Sequence, residues 1–264
     1  MPARTGTVAA PPVTDSQIKA HLYLHAVLPQ LEEVVRVDAA AQAVVAGWRS
    51  SIAMQVAGGP GVRLEVADGR LRAVRRGRGL PSLGLLLPSP AALVRMFEAG
   101  GARPLPWMGG WRLRLIAGLR TLSGRLQYYL KADRARLETD GAFAAAVLIR
   151  LAVLVYAIAV LAECLPDGGG VSAGGAGDGV VSIGVAGANP LQLHCSGGRI
   201  TASRCPHRRA NVTVEFADAS AAFGILSGSA DLWTAIGIGD VRLRGHLLLL
   251  DPILQLMARV GSFL

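Results

Sequence analysis

The spacing of hydrophobic residues along the chain changes several times, and each change marks a predicted element. Over residues 15–48 apolar residues recur every three or four positions, which is typical of amphipathic helices, and Pro29 suits the first turn of one of them. From Ser51 the spacing becomes two, and this alternation continues on both sides of an Asp68-Gly69 turn. Alternation interrupted by such a turn predicts a β-hairpin. The first part of the chain is therefore predicted to fold as helices followed by strands that include a hairpin.

The same pattern occurs a second time, 129 residues later. The segment "VAGGPGVRLEVADGRLRAVR", which begins at Val56, aligns without gaps with "VAGANPLQLHCSGGRITASR", which begins at Val185. The alignment continues through the next apolar strand to two predicted helix starts, Ser89 and Asp218. After one inserted residue, "WRLRLIAG" is matched with "VRLRGHLL" as the last strand. A repeat of this length predicts two domains that share one fold.

The repeat divides the chain into two predicted domains. Residues 1–14 are predicted to be a disordered tail, residues 15–130 the first domain and residues 131–264 the second. The second domain includes a long apolar helix, residues 142–165, and a Gly-rich loop, residues 166–180.

The helix predicted over residues 142–165 allows two interpretations. Its length and composition would span a bilayer, but Arg150 would then lie inside the span, at a cost of about 2.5–3.5 kcal/mol. A spanning helix would also place the two matching copies on opposite sides of the membrane. Because two apolar stripes run along the helix, one through Ile158 and one through Tyr156, we favour a helix buried between the two domains.

Composition narrows the classes of partner. Apolar residues make up 52% of the sequence and charged residues 17%, and the formal net charge of +9 permits an anionic partner. Aromatic residues make up only 5%, so stacking surfaces are scarce and no nucleic-acid partner is expected. The three cysteines do not suggest a disulfide framework, and the start of the chain has no apolar signal segment. A cytoplasmic location is therefore expected.

Few side chains suggest chemistry. Metal-capable residues occur at His194, Cys195, Cys205 and His207, but the hairpin geometry separates them, so ordinary strand residues are favoured over a zinc site. Neither a phosphate-binding loop nor a nucleophile elbow is recognisable. We therefore assign no metal site, no cofactor and no catalytic residue.

Arginines crowd the ends of both predicted hairpins. They are Arg70, Arg72, Arg75, Arg76 and Arg78 in the first copy, and Arg199, Arg204, Arg208 and Arg209 in the second. One interpretation is a pair of solvated strand edges that charge keeps from pairing with other strands. The other is a patch for acidic membrane headgroups or for an acidic partner enzyme.

In the second copy these features resemble the sterol carrier protein 2 (SCP2-like) family. The matching pieces are, in order, "SGGRI", "NVTVEFAD", "ASAAFGILSGSADLWTA", "IGIGDVRLRG" and "DPILQLMARVGSFL". The first copy matches more loosely through "ADGRL", "LGLLLPSPAALVRMFEAG" and "GGWRLRLIAG", and it has "GGARPLPW" where the second has "GSADLW". The presence of two copies in one chain departs from the single-domain members of the family.

The resemblance implies an α+β fold for each copy, with a five-stranded, mostly antiparallel sheet covered by helices around an apolar tunnel. It implies no catalytic residue. The residues expected to line the cavity are Leu85, Leu93, Met96, Phe97 and Trp107 in the first copy, and Val214, Phe216, Phe223, Leu226, Trp233, Leu254 and Met257 in the second. Packed core is the alternative interpretation of the same residues.

The expected function is the binding of a long apolar ligand, such as a fatty acyl chain, a sterol, an isoprenoid or a polyketide. The protein would transfer this ligand, or present it, to an enzyme or a membrane. One alternative is a cofactor-free cyclase or isomerase that folds a polyene or polyketide substrate in the cavity. Another is a structural accessory protein of a lipid or quinone biosynthetic complex.

Overall fold

The computed structural model describes residues 14–75, 77–137, 139–165, 178–204 and 208–263. We refer to residues 14–137 as the first copy and to residues 139–263 as the second copy. The helices of the first copy are α1 (Asp15–Leu22), α2 (Leu31–Val37), α3 (Ala39–Val45), α4 (Pro90–Glu98) and α5 (Leu113–Lys131). A π-helical turn (Tyr23–Val27) and a 3-10 turn (Leu28–Gln30) join α1 to α2.

The strands of the first copy are β1 (Ser50–Val56), β2 (Gly61–Ala67), β3 (Arg70–Val74), β4 (Leu83–Leu87) and β5 (Leu105–Met108). The second copy begins with a 25-residue helix, α6 (Asp140–Cys164). Its strands are β6 (Gly179–Val185), β7 (Leu191–Ser196), β8 (Arg199–Ser203), β9 (Val212–Phe216) and β10 (Val241–Gly245). Its remaining helices are α7 (Ala219–Leu226), α8 (Leu232–Ile238) and α9 (Asp251–Phe263).

Each copy contains one five-stranded sheet, and the two sheets have the same order, β3-β2-β1-β4-β5 and β8-β7-β6-β9-β10. Both sheets are mixed, because β1 pairs parallel with β4 and β6 pairs parallel with β9, whereas the other pairings are antiparallel. The α+β class and the five-stranded sheets expected from the sequence are thus present. Membership of the SCP2-like family stays a prediction.

The predicted duplication extends to the register of the strands. Ile52 lies opposite Leu64 on one side and Leu83 on the other, and Val181 lies opposite Leu193 and Val212, each 129 positions later. The hairpin turns also match, because Asp68-Gly69 and Gly197-Gly198 both adopt positive φ angles at their two central residues. This is the geometry that two-residue hairpins require.

The matching of the last strand is wrong. Residues 111–118, which we aligned with the last strand of the second copy, form a turn and the first six residues of α5, and the last strand of the first copy is Leu105–Met108. The helical signal is visible in the sequence as buried residues spaced three or four apart: Leu115, Leu119, Leu122, Leu126 and Tyr129. Two short pieces of similar composition, "WRLRL" and "VRLRG", concealed this period in the pairwise alignment.

The long apolar helix α6 contacts elements of both copies. Tyr156 and Ala159 of α6 line a cavity together with His25 of the first copy, whereas Leu154 and Ile158 line a pocket within the second copy. The two apolar stripes therefore cover two different partners. Among the described residues α6 is the one helix long and apolar enough to cross a membrane, and 67% of its most apolar stretch is buried in the protein.

Several predictions on domain boundaries have different outcomes. The tail predicted over residues 1–14 lies outside the described residues except for Thr14, which caps α1. Most of the Gly-rich loop predicted over residues 166–180 also lies outside them, and its last two residues belong to β6. The division of the chain at residue 130 stays a prediction.

Candidate ligand-binding pocket

A pocket lined entirely by apolar side chains lies between the second sheet and its covering helices. Its fifteen lining residues are Leu154, Ile158, Ile183, Val214, Phe216, Ile225, Leu226, Leu232, Trp233, Ile236, Leu243, Leu250, Ile253, Leu254 and Met257. They come from α6, β6, β9, β10, α7, α8 and α9 and from the residue before α9. The pocket therefore lies where the inner face of the sheet meets four helices.

The floor of the pocket follows from the alternation of the strands. Ile183, Val214 and Leu243 lie side by side in register on β6, β9 and β10, so they share one face of the sheet. Phe216 lies two residues further along β9 and is 4% exposed. Because period-two alternation directs all of these side chains inward, the local sequence determines the floor.

Two helices form the wall that faces solvent. Asp231 caps α8 by accepting a hydrogen bond from the Thr234 backbone N–H at 2.8 Å, and Gly239 ends that helix at a φ of +89°. The pocket residues on α8 and α9 are mostly half-buried, and Trp233 is 67% exposed. The buried floor is thus separated from solvent by side chains that are themselves only partly covered.

The pocket is small. Its volume is about 40 Å³, which is close to the room that one water molecule occupies in the liquid. Insertion of an acyl chain or a polycyclic molecule therefore requires α8 and α9 to move away from the sheet.

The structure brings most of the predicted residues of the second copy together. Six of the seven line this pocket, namely Val214, Phe216, Leu226, Trp233, Leu254 and Met257. Phe223 does not, because its ring contacts the Phe143 ring on α6 at a centroid distance of 5.3 Å and lies below the Arg150 guanidinium. It connects α7 to the first part of α6.

The predicted residues of the first copy are not brought together in the same way. Leu85 and Leu93 are buried in the core, and the Phe97 ring stacks on the Tyr23 ring at 4.6 Å. A side chain at Gly84 would meet the Trp107 indole, so Trp107 packs on the face of β4 opposite to Leu85. Trp107 is consequently separated from the other four residues by the sheet.

Side-chain size explains part of the difference between the copies. Positions Leu85, Leu93 and Phe97 correspond to the smaller residues Val214, Ala222 and Leu226 of the second copy. No helix corresponds to α8, because residues 99–104 form only a turn and extended chain between α4 and β5. The first copy therefore carries larger side chains at these positions and lacks the helix that covers the pocket in the second copy.

Sequence reasoning missed the pocket residues that come from more distant elements. Leu154 and Ile158 belong to α6, Ile183 to β6, and Leu250 and Ile253 to the last connection and α9. The two apolar stripes of α6 are recognisable from the sequence, but the sequence does not indicate which of them packs on the second sheet.

Two more cavities lie between the copies, and both include charged side chains in their lining. One of about 850 Å³ is lined by Glu32, Glu33, Arg36, Arg70 and Arg204 among others. The other, of about 320 Å³, is lined by residues of both copies, including His25, Arg75, Glu163 and Arg204. Their charged groups are largely paired: Arg75 with Glu163, and Arg204 with Glu33 at 3.1 Å.

These ion pairs change the interpretation of the Arg-rich hairpins. Arg75 and Arg204 contact carboxylates within the protein, and Arg76 lies outside the described residues. Burial and the Arg75 contact act in opposite directions on the pKa of Glu163, and the net shift is downward. The hairpin ends therefore offer fewer arginines to an outside partner than the sequence suggests.

Nothing in the described residues gathers metal ligands. No three His, Cys, Asp or Glu side chains there come together in a way that could hold a metal ion. Cys205 and His207 lie outside the described residues. Cys195 is buried, and this burial raises the pKa of its thiol.

Comparisons with known proteins show no family for this chain and only low structural similarity to solved proteins. No known family profile and no curated protein match the chain. One solved structure, the stereoselective inverting sec-alkylsulfatase Pisa1 from Pseudomonas sp., is 16% identical with a TM-score of 0.25 over 56% of this chain and 28% of that one. A double mutant of that sulfatase is 18% identical with a TM-score of 0.26 over 64% of this chain and 32% of the other. The chain thus spans about a third of the length of these structures, and such a similarity carries no conclusion about its fold or activity.

Proposed function

We propose that the second copy binds a long apolar ligand between its sheet and the helices α7, α8 and α9, and that it transfers or presents this ligand to an enzyme or a membrane. The observation that supports this is a pocket whose fifteen lining side chains are all apolar and which lies beside the exposed Trp233. Ligand pockets combine such walls with an opening at the surface. A lining without a titratable group favours binding over acid–base chemistry.

The hydrophobic effect supplies the driving force. Each methylene group that moves from water into the pocket contributes about 0.8 kcal/mol, so a chain of about twelve methylenes gains roughly 10 kcal/mol before costs are subtracted. The main cost is the outward movement of α8 and α9, which gives up the packing of half-buried residues such as Leu254 and Met257. Since α9 is held to the protein mainly through one face, this cost is smaller than that of opening the sheet.

The first copy is proposed to be a scaffold for the second. Its equivalent positions carry larger side chains, and Phe97 is fixed by its stack on Tyr23. This proposal gives the two copies different roles although they share one fold.

The test is a substitution that fills the pocket. Leu226→Trp adds an indole ring at a half-buried lining position, so we expect at least a tenfold loss of affinity for a fluorescent fatty acid such as cis-parinaric acid. Phe97→Trp, at the corresponding position of the first copy, is the matched control and should leave that affinity unchanged. Mass spectrometry of an organic extract of the purified protein would identify a ligand that is carried from the cell.

The same variants distinguish pocket from core by their thermal midpoints. If Leu226 is packed core, the larger side chain overfills it and lowers the free energy of unfolding by roughly 1–3 kcal/mol. A lowered midpoint together with unchanged binding per folded molecule would refute the proposal. So would a wild-type protein that binds no fatty acid, sterol or isoprenoid probe.

A further inference from the structure

The connection between the last strand and the last helix of the first copy exposes large apolar side chains. Leu105 is 60% exposed, Trp107 50%, Trp111 80% and Leu113 71%. All four fall within nine consecutive residues. Soluble monomeric proteins seldom expose several large apolar side chains close together. We call these four residues, together with Arg103, Arg112 and Arg114, the Trp111 surface.

The Trp111 surface is strongly cationic. Residues 99–132 contain six cationic residues and no Asp or Glu. Arg103, Arg112 and Arg114 are exposed and form no ion pair with any residue that the structure describes. Arg125, in contrast, is bound to Asp38. Arg120 and Lys131, further along α5, are also exposed and outside the ion pairs of the described residues. Three of the five unpaired cations of this segment therefore belong to the Trp111 surface.

A cleft next to this surface has the same chemistry. It has a volume of about 680 Å³ and is lined by Trp48, Arg49, Trp111, Arg112 and Arg114 together with small and apolar residues. Of these arginines, Arg49 is bound to Asp68 at 2.9 Å. No acidic side chain lines the cleft. An anionic group that enters it therefore meets the guanidinium groups of Arg112 and Arg114, which form no ion pair with the described residues, and the indole rings of two tryptophans.

We infer that the Trp111 surface docks on a bilayer that contains anionic phospholipids. Tryptophan favours the boundary between headgroups and acyl chains, exposed leucines enter the acyl region, and arginines bind the headgroup phosphates. This combination fits a bilayer better than nucleic acid, because the charged backbone of nucleic acid offers no apolar region in which the two exposed leucines could be buried. A second copy of the chain fits poorly, because a symmetric contact would place Arg103, Arg112 and Arg114 against their own equivalents.

This inference does not depend on the pocket, because the Trp111 surface belongs to the first copy and the pocket to the second. It also differs from the Arg-rich hairpins, where Arg75 and Arg204 are engaged within the protein. Together with the proposed function, it would divide the work of a lipid carrier: the second copy would bind the ligand and the first would dock on the membrane.

The experiment measures sedimentation of the full chain with lipid vesicles. We expect binding to vesicles of phosphatidylcholine mixed with phosphatidylglycerol that is at least about tenfold tighter than binding to phosphatidylcholine alone, and we expect it to weaken at high salt. The double substitution Trp111→Ser with Leu113→Ser removes the apolar contribution, and Arg112→Gln with Arg114→Gln removes the charge. Each should reduce binding about tenfold or more.

Arg242→Gln with Arg244→Gln is the matched control, because both arginines are exposed on β10 of the second copy and the change in net charge is the same. It should leave vesicle binding nearly unchanged. The inference is overturned if the wild-type chain does not bind anionic vesicles. It is also overturned if the control substitutions weaken vesicle binding as much as the double substitution at Arg112 and Arg114 does. It is also overturned if ultracentrifugation shows that the Trp111 surface is covered in a dimer, or if these substitutions abolish binding to an RNA oligonucleotide and spare binding to vesicles.

Discussion

At the residue scale, the group with the most unusual environment is His25. Its Nε2 lies 3.1 Å from the Gly61 carbonyl oxygen and donates to it, whereas its Nδ1 is buried without a hydrogen-bond partner. Burial lowers the pKa of His25 from 6.5 to about 4, with smaller contributions in the same direction from Arg75 and His21. The Gly61 hydrogen bond and Glu163 act in the opposite direction but do not compensate.

This pKa predicts acid sensitivity. Between pH 6.5 and about 4 the unfolded chain binds a proton at His25 that the native protein does not, so the free energy of unfolding falls as the pH is lowered through this window. The loss at His25 amounts to roughly 3 kcal/mol. Burial also lowers the pKa of His21, which acts in the same direction. The full stability is present above pH 6.5.

Urea unfolding at a series of pH values measures this effect. His25→Gln, whose amide also has an N–H to donate, should flatten the dependence between pH 6.5 and 4. His246→Gln is the control, because His246 is exposed. An identical pH dependence in wild type and His25→Gln would show that other groups are responsible.

Local sequence patterns predicted the roles of single residues, such as helix caps, but not their ion-pair or hydrogen-bond partners elsewhere in the chain. Ser89 and Asp218 cap α4 and α7 as their positions suggested, since each side chain accepts a hydrogen bond from the backbone N–H three residues later. The sequence did not reveal that Asp38 binds Arg125 and the Tyr129 hydroxyl. These pairs connect residues 87 and 91 positions apart, and no local period encodes them.

At the scale of elements, Arg150 explains how a charge is accommodated within the apolar helix α6. Its Nε donates to the Tyr129 carbonyl at 3.1 Å and its Nη2 donates to the Ala132 carbonyl, both at the end of α5. The last carbonyls of a helix lack partners within the helix, so Arg150 satisfies groups of α5 from a neighbouring helix. Burial lowers the pKa of its guanidinium, which nevertheless stays charged at neutral pH.

Arg150→Leu should therefore destabilise the protein although it makes α6 uniformly apolar. The two carbonyls lose their donor and remain partly buried, so we expect a loss of about 1–3 kcal/mol in the free energy of unfolding, measured with urea. Arg134→Leu is the control, because Arg134 also lies over an aromatic ring, that of Phe143, but is exposed and should have a smaller effect. An increase in stability for Arg150→Leu would show that the desolvation cost of the charge outweighs its hydrogen bonds.

Elements were predictable wherever one period dominated. The strands β1 to β3, β7 and β8 alternate in sequence, and the hairpins at Asp68-Gly69 and Gly197-Gly198 followed from this. The strand β5 was missed because it is short, contains Pro106 and is largely exposed, so it has neither an inward face nor an alternation. The pocket depends on α8, which has no counterpart in the first copy, and internal comparison could not place it.

At the scale of the whole molecule, a reciprocal pair of ion pairs joins the two copies. Arg75 and Arg204 are equivalent residues at the ends of β3 and β8, and each reaches across to a carboxylate of the other copy. Arg75 binds Glu163 on α6, which covers the second sheet, and Arg204 binds Glu33 on α2, which contacts β3 of the first. Reciprocal contacts of this kind characterise an isologous interface, here within one chain.

This arrangement predicts that neither copy is stable without the other. In residues 139–264 expressed alone, the stripe of α6 that contacts α1 and the π-helical turn would be exposed to water, as would the inner sides of those elements in residues 1–138. Fully burying one large aliphatic side chain contributes about 1.5–3 kcal/mol. Ile149 on the stripe through Tyr156 is fully buried, as are Leu22 of α1 and Leu24 of the π-helical turn. Exposing only a few such side chains would cost more free energy than the usual net stability of a domain.

We therefore expect each half to aggregate or to lack a cooperative thermal transition, whereas co-expression of both halves should give a soluble one-to-one complex that is purified without detergent. A monomeric second half that melts cooperatively on its own would show that the two copies are independent domains and that α6 needs only its own sheet.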